Sequence, residues 1–191
     1  MFDGHYPLVK LGDVVQTISG GTPSRSHPEY YDGGTIPWLT SGEINTGVIT
    51  SVKNSITEDG MNKSSAKMVP ANSVVVAMYG ATAGVTGILR VAATTNQAVC
   101  SILPNERFLP EYLYYAIASK KNWMIAQCKG GGQPNISQGI IKNMEIIDAP
   151  IEVQKEFVDF YSQADKSKVV VQKALQEAQI LFDSLMQQYF G

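Results

Sequence analysis

"PIEVQKEFVDFYSQADKSKVVVQKALQEAQILFDSLMQQYFG", residues 150–191, holds proline only at its first position and glycine only at its last. Between them apolar side chains return at alternating intervals of four and three: Phe157, Tyr161, Ala164, Val171, Leu175, Ala178, Phe182, Leu185 and Tyr189. Lys168 is the one polar member of the series. This is the a/d spacing of a heptad helix, sustained over about five heptads. At 1.5 Å per residue such a helix is about 55 Å long. A domain of about 150 residues is only about 30–35 Å across. The helix is therefore expected to project and to need a second helix along its seam. No other stretch of the chain is long enough, so the partner is expected from another chain. The alternative is an amphipathic helix lying on its own domain.

Residues 1–150 follow a different pattern. Short β-rich runs at Val14–Ile18, Gly47–Val52, Ser73–Tyr79, Gly84–Val91 and Ala98–Leu103 are separated by turn signals such as Gly33-Gly34, Asp59-Gly60 and Pro104-Asn105. Pro110 to Asn122 carries apolar residues at helical spacing, with the proline at its N-terminus, and predicts one helix. The fold class expected is α+β: a mostly β domain with irregular loops over residues 1–150, then a long coiled-coil helix over 151–191.

Hydrophobic residues make up 44% of the 191 positions, enough for a core, and the net charge of −2 points to no particular partner. The charge is unevenly spread, however. Lys53, Lys63, Lys67, Arg90, Arg107, Lys120, Lys121, Lys129 and Lys142 face only Glu58, Asp59, Glu106 and Glu111 between residues 53 and 142. Such a basic segment suits phosphates, or is simply solubilising. Cys100 and Cys128 stand apart from His5 and His27, so no metal site and no disulfide framework is expected. No basic stretch followed by an apolar run opens the chain, and no apolar run is long enough to span a membrane. A cytoplasmic protein is expected.

The motifs of catalysis are missing. There is no GxxxxGK[ST] loop, and Gly80, Gly84 and Gly87 have three and two residues between them, unlike GxGxxG. GxSxG, HExxH and an Asn/Asp-Pro-Pro-aromatic run do not occur. No catalytic residues are assigned, and the pattern favours a binding protein.

Five segments, in order, carry a family likeness. They are "KLGDVVQTISGGTPSR" from Lys10, "YYDGGTIPWLTSGEI" from Tyr30, "TTNQAVCSILP" from Thr94, "PEYLYYAI" from Pro110, and "GGGQPNISQGIIKNMEIIDAPIEVQKEFV" from Gly130. Together they resemble the DNA-specificity subunits of type I restriction-modification systems over essentially the full length. The resemblance implies a target recognition domain at 1–150, a spacer helix at 151–191, and no catalysis in this subunit. It implies double-stranded DNA and a modification subunit as partners, with the restriction subunit as a further one. The methyl donor S-adenosylmethionine would be held by the modification subunit, so no cofactor is expected here. Full subunits of the family are similar to two tandem copies of this unit. One copy stands here, which looks like a half-size form, and the heptad seam then suits a second copy of the same helix, run antiparallel. In that arrangement Lys168 lies near Glu177 of the other chain.

Residues short and polar enough to meet phosphates and base edges are Thr22, Ser24, Arg25 and Ser41 in the stiff loop after the first strand, and Lys63, Ser64 and Lys67 in "MNKSSAKM". Tyr79 and Thr82 sit on a Gly-rich turn, and Arg90 follows. Lys129, Gln133 and Asn135 lie in "KGGGQPNIS", where Gln and Asn suit the two-edged reading of adenine. Tyr30, Tyr31 and Trp38 are expected to pack beneath the first loop rather than to stack on bases. A scaffold role for these loops, with the β domain binding protein in a decoy subunit, is the competing reading.

Overall fold

The computed structural model describes residues 6–44, 47–128 and 133–190, and the backbone alone at 165, 166, 168 and 169. Its contacts divide the chain into two units, residues 1–151 and 152–191.

In the first unit, β1 (Leu8–Lys10) leads into α1 (Leu11–Val14) and β2 (Thr17–Ser19). A long loop reaches β3 (Ile36–Leu39), then β4 (Val48–Ile49), β5 (Ser55–Ile56), α2 (Glu58–Asn62) and β6 (Met68–Val69). The hairpin β7 (Ser73–Ala77) and β8 (Thr86–Leu89) is followed by β9 (Ala93–Thr95) and β10 (Val99–Ile102). Then come α3 (Pro110–Ala118), α4 (Lys121–Ala126), α5 (Gln138–Lys142) and β11 (Glu145–Ile147).

The strands form a five-stranded sheet in the order β2-β10-β7-β8-β4, a four-stranded sheet β5-β3-β9-β6, and the pair β1-β11. β4/β8 and β3/β9 are parallel, and the other pairs are antiparallel. Branched Val74, Val75 and Val76 suit the central strand β7, which is buried throughout. Leu39, Val69, Val75, Leu89, Ala93 and Val99 from the two larger sheets meet in one apolar core. α3 covers β7 and β8 with buried Tyr112, Leu113 and Ile117. Tyr112 donates its hydroxyl to the Ile147 carbonyl at 2.8 Å, and burial pushes that phenol up to about 12.

Two expectations shift. Leu11–Val14 forms a helical turn, and β2 begins only at Thr17. The turn buries Leu11, whose N–H reaches the Met144 carbonyl at 2.8 Å. The helix expected over 110–122 is two. The chain tightens at Lys120, whose N–H bonds the Ile117 carbonyl at 3.0 Å, and α4 starts afresh from the Lys120 carbonyl.

The second unit is α6 (Ile151–Phe190), 40 residues without a break, about 60 Å at 1.5 Å per residue.

Candidate nucleic-acid interface

Strand direction gathers the loops. β2 and β7 both run antiparallel to β10, so Ser19 and Ala77 end at the same edge of the sheet, where β10 begins. The β7–β8 turn is at that edge by construction. Four segments therefore converge there: residues 20–25, 78–84, 95–98 and 133–136.

Each is pinned by close contacts. Gly21 donates its N–H to the Thr95 carbonyl at 2.8 Å, and a Cβ on Gly20 would come within 1.9 Å of that same oxygen. The Trp38 indole donates to the Gly21 carbonyl at 3.0 Å, and the Tyr31 hydroxyl to the Pro23 carbonyl at 2.5 Å. Tyr30 and Trp38 are buried. Trp38 and Tyr31 thus brace the loop, and Ser24 and Arg25 are exposed on it. Thr22 donates its hydroxyl to the Gln97 carboxamide oxygen, which leaves the Gln97 NH₂ directed elsewhere. Gln97 belongs to "TNQA", but only the sheet edge reveals that it stands beside Thr22.

On the other side Ile136 donates to the Met78 carbonyl at 2.8 Å, and Tyr79 and Asn135 form an isolated antiparallel bridge. The Gln138 side chain ties the following turn to Thr17 at 2.7 Å. Tyr79, Gln133 and Asn135 are exposed, with Thr82 half-buried beside them. Gly80 and Gly84, at φ of 74° and 78°, allow the turn.

Ser41 lies in a one-turn helix just after Leu39, whose carbonyl accepts the Asn96 N–H at 3.0 Å. Glu43 closes that turn as a capping box with Thr40. Burial opposes its charge, but hydrogen bonds from the Lys53 N–H, the Asn54 amide and Thr40 outweigh it and hold the carboxyl below its usual range.

The basic residues separate into two groups. Lys63 bonds Asp59 at 3.2 Å, which holds its ammonium above the usual lysine range, and lies 5.7 Å from the Tyr30 ring centroid. The Ser64 hydroxyl is used locally, between the Met61 carbonyl and the Ala66 N–H. Ser65 and Ala66 abut Gly21, which brings this stretch and exposed Lys67 to the loop end. Arg90 is placed elsewhere. It follows Leu89, which pairs with Ser73 at the far end of the hairpin, and its guanidinium is held by Asn72 at 2.7 Å and by Glu111. Lys129 falls outside the described residues.

Along α6, Ala164, Val171, Leu175, Ala178, Phe182, Leu185 and Tyr189 are all exposed, as is Tyr161, while Phe157 is half-buried. The side chain of Lys168 lies outside the described residues. Leu181 and Met186 widen the apolar stripe on the two sides of the a/d seam and are exposed too, as is Val170. Lys173 pairs with Glu177 at 3.9 Å, and Gln179 donates to Asp183 at 2.8 Å, along the same helix.

Among the described residues no three His, Cys, Asp or Glu side chains cluster as metal ligands, and no helix is long and apolar enough to cross a membrane. Cys100 is buried, its thiol pushed up to about 12 by desolvation.

A mixed α/β domain with sheets, followed by a long helix, is a fold this chain shares with solved structures. The superposable structures include one from a study of complex assembly and conformational transition of the type I R-M system (TM-score 0.76, 19% identity, 96% of this chain and 44% of that one). Another is the HsdS subunit of Thermoanaerobacter tengcongensis (TM-score 0.69, 18% identity, 88% and 39%). The family model of the type I restriction modification DNA specificity domain matches residues 5–179, and the chain belongs to that family. It is similar to a specificity subunit of a type I restriction enzyme from Escherichia coli, 27% identical over 168 residues, covering 85% of this chain and 42% of that protein. It is also 27% identical over 189 residues to the HindI specificity subunit of Haemophilus influenzae, covering 95% and 41%. The chain spans about two fifths of the length of these relatives.

Proposed function

We propose that this chain is the DNA-reading subunit of a type I modification enzyme, working in the cytoplasm as an antiparallel homodimer. Residues 20–25, 78–84, 95–98 and 133–136 form the face that meets double-stranded DNA. The observation that carries this is their convergence: polar side chains able to hydrogen-bond, from segments the outermost of which are more than 100 residues apart, share one end of the sheet. Phosphate contacts would position the duplex, and we assign Gln133, Asn135 and Gln97 to base edges, which their exposed amide chemistry supports.

The exposed a/d seam of α6 supports pairing with a second copy, and a two-fold axis makes the simplest closed pair. Two identical readers related by that axis recognise an inverted repeat with a fixed gap. Leu181 and Met186 flank the seam on its two sides, and we assign the apolar surface they add to the modification subunit. That subunit would supply S-adenosylmethionine and the methyl transfer, and a restriction subunit would join where cleavage occurs.

The test is to express the chain with its cognate modification subunit and map methylated adenines across the host genome. An inverted-repeat motif that disappears when this chain is omitted supports the proposal. Methylation that persists without the chain, or a mobility shift showing no preference for the motif, refutes it and favours a scaffold role.

A further inference from the structure

Residues 60–105 and 112–144 contain no aspartate and no glutamate. Those two segments build the 78–84 turn, the 95–98 turn, α4 and the 133–136 segment. Glu29, Asp32 and Glu43 belong instead to residues 20–59, the stretch that holds the first loop and the Ser41 turn. The loop end is thus electrostatically two-sided, and its carboxylate-free side carries Lys120 and Lys121 at the start of α4.

We propose that Lys120 and Lys121 grip the phosphate backbone of the bound duplex on this side. The inference rests on the reading of the loop end as the DNA face. Three observations carry it. First, α4 is built into that face: a Cβ on Gly84 would lie 2.9 Å from Lys121 Cγ and 3.6 Å from Ile136 Cδ1, so the turn, the helix and the 133–136 segment pack together. Second, both lysines are exposed, and neither forms an ion pair among the described residues. Lys63, Arg90 and Arg107, by contrast, are taken up by Asp59, Glu111 and Asp148. Third, with the Lys121 stem packed on the glycine turn, the ammonium is the part left to reach outward. An ammonium is a point charge without the planar fork that reads a guanine edge, so these residues hold the duplex rather than choose its sequence.

Each phosphate neutralised contributes about 0.9 to the slope of log affinity against log salt. The experiment uses the full chain with its modification subunit, and measures affinity for a duplex containing the methylated motif and for a scrambled duplex over a salt series. Lys121→Gln keeps most of the packed stem and removes the charge. It is expected to flatten the slope by about 0.9 and weaken binding about fivefold at roughly 0.15 M salt. Lys120→Gln should do the same, and both duplexes should be affected alike. Lys121→Arg should keep the wild-type slope. If the glutamine variants fold as the wild type by circular dichroism yet keep its slope, the proposal is overturned. If a glutamine variant unfolds, Lys120→Met and Lys121→Met, which retain an unbranched stem without the charge, give the same reading: an unchanged slope refutes it. A wild type that binds neither duplex instead removes the DNA-face reading itself.

Discussion

Leu175→Asp tests the helix pairing. Leu175 is 70% exposed in the single chain, and in an antiparallel pair it would be covered. Burying a leucine side chain fully contributes about 1.5–3 kcal/mol. Scaled to the area still open, each copy forfeits about 1.5 kcal/mol on substitution, or about 3 kcal/mol for the two-fold pair. That alone is more than about a hundredfold in dissociation constant. Each new carboxylate must also lose part of its hydration on the seam, which adds to that cost. The variant should therefore be monomeric at micromolar concentration where the wild type is a dimer. Residues 1–151 keep their own core and should remain folded. Sedimentation velocity on both proteins, with circular dichroism of the β domain, reads the outcome. A wild type that sediments as a monomer, or a variant indistinguishable from it as a dimer, would refute the reasoning.

Gly20→Ala drives a methyl group to within 1.9 Å of the Thr95 carbonyl, backbone on both sides, and should cost at least the roughly 1–3 kcal/mol typical of overpacking, read as a lowered urea midpoint. Gly33→Ala meets nothing within 4 Å and bears only the strain of φ 70°, so its loss should be about 1 kcal/mol. Gln133→Ala or Asn135→Ala should relax preference at one base pair by about 1–3 kcal/mol in competition binding, whereas equal losses on every sequence would assign the loop to backbone contact. The Asp148 carboxyl is held below its usual range by the hydrogen bond from Arg107, which also raises the guanidinium. A depressed folded value gives stability that is present above the unfolded value, about 3.9, and is lost as pH falls through the folded one. With Arg107 half-exposed, Asp148→Asn should lower stability by a few tenths to about 1 kcal/mol near neutral pH, and the difference should vanish below the ordinary Asp range in pH-dependent thermal melts.

The sequence alone determined α6, because a helix closes its hydrogen bonds within itself and its seam repeats every heptad. It also showed which loops are polar and which family the motifs resemble, and it led to the expectation that the aromatics of residues 30–38 pack beneath their loop. It did not reveal β3: Pro37 interrupts the run, and its partners β5 and β9 are fixed only by tertiary contact. Nor could spacing reveal that Thr22 meets Gln97, that Lys121 packs on Gly84, or that Arg90 is drawn to Glu111 at the opposite end of the hairpin. Those placements follow from strand direction and sheet order. Pairing between strands joins residues of any separation, so no local pattern encodes which loops will share an edge.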